Sequence, residues 1–199
     1  MSAIVLASSN SGKIREIQAI LPNWQIFPQS HFNIPEPEET GSTFIENAII
    51  KARNAAKYSG TSAIADDSGL VVDALNGEPG VHSARYAGVS ASDQTNIDKL
   101  LADMALIPDS QRQARFICVM VYMRHDQDAI PLIAQGVWEG KILREAIGAN
   151  GFGYDPVFWV ETHQCSSAQL PPELKNKLSH CYRALQALNQ QIITHCIQA

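Results

Sequence analysis

Two adjacent carboxylates, Asp66 and Asp67, lie between a short apolar run at Ala63–Ala65 and the dipeptide Ser68-Gly69. The apolar run predicts the end of a buried strand, and the dipeptide predicts a turn into a second apolar run, Leu70–Val72. Carboxylates at such a position can hold a metal ion or accept a proton from water. The same residues also suit an acidic turn that is merely solvated, and this stretch alone leaves both interpretations open.

A second stretch that could do chemistry is the polar loop Ser8–Lys13, with the sequence Ser-Ser-Asn-Ser-Gly-Lys. It joins an apolar strand at Ala3–Ala7 to a helical pattern that has Ile14, Ile17 and Leu21 on one face. The beginning of a helix offers unpaired N–H groups and a positive dipole to an anion, and Lys13 adds a charge. The glycine spacing is not that of a Walker A loop. An ordinary capped helix has the same sequence requirements, so both interpretations remain.

A third stretch, residues 148–156 and called here the aromatic loop, places three glycines around Phe152 and Tyr154. If the loop displays these rings, they could stack on a flat ligand, and stacking on a nucleobase contributes about 1–3 kcal/mol per base. The alternative is a turn whose aromatic rings fold back into the core. Further along, Ser179 is expected to cap a helix with His180 in its first turn, where the imidazole could equally be exposed or structural.

The acidic residues Glu36, Glu38 and Glu39 lie in a loop broken by two prolines, which by itself reads as solvated. The stretch Thr43–Glu46 fits a capping box that opens a helix running to about Tyr58. Lys51 lies on that helix and by default is a surface charge.

The order of elements predicts an α/β chain with a central sheet and helices on its faces. Phe116–Met123 suits a central strand, and Pro131–Trp138 and Lys141–Arg144 are expected to form a hairpin with a turn at Glu139-Gly140. Glu161–Pro172 is expected to be a loop. The 199 residues fit one domain, either undivided or of two lobes that share a core.

The composition excludes some function classes. The net charge is −5 without any run of lysine or arginine, which argues against a surface for nucleic acid. The four cysteines lack a paired short spacing, so we expect neither a zinc site nor a disulfide framework. No stretch approaches the roughly 20 apolar residues that cross a bilayer, and no signal peptide is recognised. These features predict a soluble cytoplasmic protein with no membrane partner.

Six motifs, taken together and in this order, resemble the inosine triphosphate pyrophosphatase family, and the resemblance spans nearly the whole chain. They are Ser8–Lys13, Glu39–Ala48, Ala65–Leu70, Gly77–Tyr86, Gly151–Pro156 and Ser179-His180.

The resemblance implies a mixed-sheet α/β fold of two lobes with an active-site cleft between them, a homodimer, and dependence on Mg²⁺. It also implies hydrolysis of the non-standard purine nucleotides ITP, dITP and XTP to a nucleoside monophosphate and pyrophosphate. Such an enzyme removes deaminated purines from the nucleotide pool before they enter DNA or RNA.

The resemblance further assigns roles to individual residues of this chain. Asp67 would be the general base and a magnesium ligand, with Glu39 favoured over Glu38 as the acidic partner, because neighbours in an extended chain face opposite ways. By the same alternation, Asp66 would support the site rather than act in it. The substrate would be contacted by Ser8, Ser9, Asn10, Ser11, Gly12 and Lys13 at the triphosphate, with help from Lys51, by Ser68, and at the base by Phe152, Gly153, Tyr154, Asp155, Lys175, His180 and Cys181.

One position departs from the family pattern. Where the family has Ser-His-Arg, this chain has Cys181 after Ser179 and His180. A thiol is a weak donor without charge and cannot replace a guanidinium. We therefore expect weaker binding of the base, or looser discrimination.

Two other functions are weighed. The first is a Maf-like pyrophosphatase for modified pyrimidine nucleotides, a class whose opening loop is of a Ser-Pro-Arg-Arg type, whereas this chain has Ser11-Gly12-Lys13. The second is a nucleotide-binding module whose turnover is impaired by the change at Cys181.

Overall fold

A computed structural model describes residues 3–8 and 11–197 of the chain. The strands are β1 (Ala3–Leu6), β2 (Gln25–Pro28), β3 (Ser62–Val72), β4 (Gln113–Met123), β5 (Leu132–Ile142), β6 (Phe158–Val160) and β7 (Cys165–Ser166). The helices are α1 (Ser11–Ile20), α2 (Phe44–Ser59), α3 (Asp93–Asp103), α4 (Pro172–Leu178) and α5 (His180–Ile197).

The seven strands form one sheet in the order β2-β1-β3-β4-β5-β6-β7, flanked by helices. Strand β1 runs parallel to β2 and β3, whereas β6 is antiparallel to β5 and β7. The predicted α/β class with a mixed central sheet is therefore confirmed. No helix in the described part of the chain is long and apolar enough to cross a membrane.

The chain divides into two compact units, each built from separate segments. Unit 1 comprises the residues up to Asp67, Cys118–Gly136, and those from Arg183 onward; unit 2 comprises Ser68–Ile117 and Val137–Tyr182. A core cluster of unit 1 contains Val5, Ile34, Ala55, Ala56 and Ala63. That of unit 2 is larger and includes Leu70, Val72, Leu100, Phe116, Trp138, Val157 and Phe158.

Helix α2 begins as the sequence predicts. The hydroxyl of Thr43 accepts a hydrogen bond from the Glu46 N–H at 3.2 Å, and the Glu46 carboxylate accepts one from the Thr43 N–H at 2.9 Å. This capping box satisfies backbone donors that the first turn leaves unpaired. The helix ends at Ser59 and is capped by Gly60, whose positive φ of 67° favours glycine.

Two predicted turns are wrong, because the strands run straight through them. Strand β3 continues through Ser68-Gly69, and nearly all of its positions on either side are buried. Strand β5 continues through Gly140, where a Cβ atom would lie 2.5 Å from both the Phe158 ring and the Trp159 carbonyl oxygen. The glycine at 140 therefore permits close packing of neighbouring chain and does not mark a turn.

Candidate active site

One ammonium group in unit 1 is held between two carboxylates. Lys51 Nζ lies 3.1 Å from Asp67 Oδ1 and 3.1 Å from Glu39 Oε1. These three residues are called here the carboxylate–lysine cluster. Asp67 lies within β3, Lys51 lies on α2, and Glu39 comes from the proline-containing loop before α2. The structure thus brings together three residues that the family resemblance groups, and Lys51 is not merely a surface charge.

Asn47 fixes this cluster and was not identified from the sequence. Its Nδ2 donates to Asp67 Oδ2 at 3.3 Å, and its Oδ1 accepts the Gly41 N–H at 2.8 Å. A Cβ atom at Gly41 would lie 2.7 Å from the Asn47 Oδ1, so this contact requires glycine. The only signal in the sequence is an asparagine beside Ala48 on the buried stripe of α2, where a polar side chain needs a partner.

The charges in this cluster shift two pKa values. Burial raises the pKa of the Asp67 carboxyl above its ordinary value; the Lys51 ammonium opposes this rise and Glu39 adds to it. Burial alone would lower the pKa of Lys51, but the carboxylates of Asp67, Asp66 and Glu39 outweigh it, so this pKa is raised. The lysine therefore stays charged while Asp67 becomes a stronger proton acceptor.

The two pairs of acidic neighbours differ in how their members are buried. Glu38 is exposed, whereas Glu39 is half-buried against Lys51. Asp66 and Asp67 are both buried, at 8% exposure each. Asp67 contacts Lys51 and Asn47, and the charge of Asp66 also acts on Lys51. Ser68 follows in β3 and is half-buried.

Among the described residues, no three His, Cys, Asp or Glu side chains converge as a metal site would require. Magnesium, however, commonly takes one or two protein carboxylates and completes its shell with phosphate oxygens and water. Glu39 and Asp67 share one ammonium and supply that kind of donor set, so the residues present fit this ion.

In unit 2, the aromatic loop displays one ring and buries the other. Phe152 is 76% exposed, and the ammonium of Lys175 lies 4.6 Å from the centre of its ring. Tyr154 is 5% exposed and donates its hydroxyl to the Ser83 carbonyl at 2.8 Å, so of the two alternatives left open by the sequence, display applies to Phe152 and burial in the core to Tyr154. The Tyr154 ring packs in the core cluster of unit 2.

Asp155 is buried at 3% exposure and ties the aromatic loop to α4. Its carboxylate accepts hydrogen bonds from the Phe152 N–H at 2.8 Å, from the Ser167 hydroxyl at 2.9 Å, and from the Lys175 ammonium. Helix α4, which the sequence did not predict, starts with Pro172 in its first turn and carries Lys175. Gly153 donates its N–H to Asp93 at 2.7 Å.

His180 is the first residue of α5, and its ring stacks on Phe116 with 4.9 Å between ring centres and 10° between planes. Its Nδ1 is buried and has no hydrogen-bond partner within the described chain. The Ser179 hydroxyl accepts the Tyr182 N–H at 3.1 Å, which confirms the predicted cap. Cys181 is half-buried beside it.

The polar loop before α1 is described only in part. Ser8 is half-buried and its N–H donates to the Leu6 carbonyl at 2.7 Å. Ser9 and Asn10 lie outside the described residues, as do the side chains of Ser11 and Lys13, and of Gly12 only its place in α1 is described. Helix α1 begins at Ser11, so the predicted order of strand and helix is confirmed, but the helix starts inside the predicted loop, three residues before Ile14.

Comparison with known proteins agrees with the six motifs. A family model described as the Ham1 family matches residues 4–191. A dITP/XTP pyrophosphatase of Photobacterium profundum is 57% identical over 190 residues, which is 94% of this chain and 96% of that protein. One of Vibrio cholerae serotype O1 is 56% identical over 194 residues, covering 96% and 97%.

Solved structures give the same result. A HAM1 protein from Coxiella burnetii superimposes with a TM-score of 0.92 at 51% identity and covers 100% of both chains. The Staphylococcus aureus Ham1 protein gives a TM-score of 0.90 at 42% identity, with 97% of this chain and 99% of that one covered. The resemblance seen in the sequence is confirmed: the chain belongs to the Ham1 family.

Proposed function

We propose that this protein hydrolyses dITP, XTP and ITP to the nucleoside monophosphate and pyrophosphate, and so removes deaminated purines from the nucleotide pool. The observation that carries the proposal is the carboxylate–lysine cluster, in which a buried carboxylate of raised pKa lies against an ammonium. Relatives called dITP/XTP pyrophosphatase, more than half identical over nearly their full length, support the choice of substrate.

Asp67 is the proton acceptor for the attacking water. A base works best when its pKa approaches the working pH, and burial moves the pKa of Asp67 in that direction. Lys51 and Asn47 each hold one of its oxygens, which fixes the plane of the carboxylate. An oriented base lowers the entropic cost of bringing the carboxylate and the water into a reactive geometry.

The triphosphate carries several negative charges that repel a carboxylate base, and Lys51 offsets part of this repulsion. We propose that Glu39 and Asp67 hold Mg²⁺, which would neutralise phosphate charge and orient phosphate oxygens when bound. The loop Ser8–Lys13 would bind the triphosphate at the start of α1.

Discrimination against adenine nucleotides acts at position 6 of the purine. Hypoxanthine and xanthine carry an acceptor oxygen there, where adenine carries an amino donor. Lys175 is a donor beside the exposed ring of Phe152. His180 has a ring nitrogen, Nδ1, that has no hydrogen-bond partner within the described chain. A buried donor facing a donor costs about 1–3 kcal/mol per mismatch, so two such contacts give strong selectivity.

Pyrophosphate release from a substrate panel with Mg²⁺ tests this function. We expect turnover of dITP, XTP and ITP, and little of dATP or dUTP. A preference for modified pyrimidine nucleotides would indicate a Maf-like enzyme, and binding without pyrophosphate release would indicate a nucleotide-binding module. We further propose that the enzyme works as a cytoplasmic homodimer. Analytical sedimentation would test the dimer.

Replacing the base tests the role of Asp67. Asp67→Asn keeps the shape and should lower kcat by about 10²–10⁴-fold. The equally buried neighbour provides the control, since Asp66→Asn should lower kcat far less. Near-normal turnover of Asp67→Asn at saturating Mg²⁺ would rule out Asp67 as the base.

A further inference from the structure

The carboxylate of Asp155 has both of its oxygens occupied by different partners. Oδ1 accepts the Ser167 hydroxyl at 2.9 Å, whereas Oδ2 accepts the Phe152 N–H at 2.8 Å and the Lys175 ammonium. Asp155 and Ser167 are 3% and 0% exposed, so water cannot readily replace a lost partner. The orientation of this carboxylate therefore depends on all three donors.

We propose that Ser167 is a positioning residue for purine recognition, an inference that rests on the function proposed above. Ser167 does not reach the substrate. Its hydroxyl holds Oδ1 and thereby turns Oδ2 toward Lys175, which keeps the ammonium beside the face of Phe152. Base recognition thus depends on the buried hydroxyl of Ser167, which acts through Asp155 and Lys175 without contacting the base.

The surroundings leave the carboxylate little freedom. Gly151 has a φ of +80°, and a Cβ atom there would collide with Asp155 Oδ2 and lie 3.1 Å from Lys175 Nζ. The backbone is thus packed directly against this ion pair. If the Ser167 hydroxyl is removed, Oδ1 remains buried without its donor, and the carboxylate can recover a partner only by turning Oδ1 toward Lys175 or the Phe152 N–H. Either turn displaces the ammonium or loosens the loop.

The adjacent residue offers a matched control. Ser166 is also 0% exposed, but its hydroxyl donates to the Ile147 carbonyl at 2.5 Å instead of to Asp155. Ser166→Ala and Ser167→Ala remove the same atom from the same buried turn. A general loss of packing would appear in both variants, whereas a positioning effect would appear in Ser167→Ala alone.

The kinetic test uses the full-length enzyme with Mg²⁺ and dITP. We expect Ser167→Ala to raise KM about tenfold with kcat changed less than about twofold, as expected for the loss of one hydrogen bond to a charged group. Ser166→Ala should leave KM unchanged. In a Lys175→Met background, Ser167→Ala should have no further effect, because its influence passes through Lys175. An unchanged KM in Ser167→Ala, or an effect that multiplies with that of Lys175→Met, would overturn the proposal.

A second readout does not depend on turnover. The Phe152 N–H donates to Asp155, whereas the neighbouring Gly153 N–H donates to Asp93. We expect amide hydrogen exchange at Phe152 to rise about tenfold in Ser167→Ala, with exchange at Gly153 unchanged. Equal exchange at Phe152 in both forms would refute the positioning role even if the enzyme hydrolyses dITP. Conversely, failure of the wild type to hydrolyse any purine triphosphate would refute the proposed function and leave this measurement valid.

Discussion

Cys181 is a residue at which this chain departs from the pattern of the family it resembles. It is half-buried, next to His180 in the first turn of α5, where the resemblance places an arginine. A guanidinium would offer several fixed donors to an acceptor on the purine, and a thiol offers one weak donor. On the function proposed above, we therefore expect recognition of the base to rely more heavily on Lys175 and His180 than the family pattern implies.

We expect Cys181→Arg to raise kcat/KM for dITP by about tenfold, the gain from one added charged hydrogen bond. The measurement is steady-state pyrophosphate release from dITP and dATP in parallel, since the gain should be confined to the substrate with the acceptor at position 6. Cys181→Ala serves as the control and should bring no improvement. If Cys181→Arg leaves kcat/KM unchanged, the position is dispensable in this protein.

At the scale of elements, the sequence predicted what short segments decide. The capping box of α2 involves Thr43 and Glu46, only three residues apart, and it forms as expected. The continuation of β5 through Gly140 depends instead on Phe158, and the placement of Lys175 depends on Asp155, twenty residues away. Such contacts exist only after the sheet has formed, so local patterns could not reveal them.

The same distinction applies to the candidate site. The sequence selected Asp67, Lys51 and Glu39 only through the family resemblance, because residue types and spacing alone left the role of each open. Their distances to one another, the supporting bond from Asn47 and the burial of Tyr154 follow from tertiary packing. Ser167 gave no signal at all in the sequence, because a serine hydroxyl becomes informative only when its partner is known.

The connection between β4 and β5 is organised by one buried carboxylate, Asp128. It accepts a two-pronged hydrogen bond from the Arg124 guanidinium, and it accepts the N–H groups of Arg124 and Ile130, each at 3.1 Å. Arg124 holds the pKa of the Asp128 carboxyl well below its usual range. Arg53 of α2 donates to the carbonyl oxygens of Asp126 and Asp128, so the connection also anchors that helix.

We expect Asp128→Asn to lower the free energy of unfolding at pH 7 by about 1–3 kcal/mol. Because the pKa of Asp128 is depressed in the folded state, its contribution is present above the unfolded pKa of about 4 and is lost as the pH falls below it. The difference from wild type should therefore shrink in urea unfolding curves as the pH is lowered from 5 to about 3. Asp126→Asn is the control, because it changes another carboxylate of the same connection, one that accepts a hydrogen bond from the neighbouring Gln127 side chain. A difference that stays constant with pH would contradict the assigned cause.

At the scale of the whole molecule, the path of the chain makes the two units inseparable. Strand β3 passes from unit 1 to unit 2 after Asp67. Strand β4 passes back from unit 2 to unit 1 after Ile117, and β5 passes from unit 1 to unit 2 after Gly136. Each unit is assembled from discontinuous segments, so neither could be produced as one uninterrupted piece of chain. We therefore predict that the 199 residues unfold as a single domain.

Tryptophans allow this prediction to be tested, because Trp24 lies in unit 1 whereas Trp138 and Trp159 lie in unit 2. Trp24→Phe reports on unit 2 by fluorescence, and the double variant Trp138→Phe/Trp159→Phe reports on unit 1. Within each variant, fluorescence and far-ultraviolet circular dichroism should give urea midpoints that agree within about 0.3 M, as one cooperative transition requires. Comparing the two probes inside one protein removes any loss of stability caused by the substitution itself. Separate midpoints for fluorescence and circular dichroism would show that the units unfold independently. If the strands β3, β4 and β5, which run through both units, unfold in one transition, both probes must give the same midpoint.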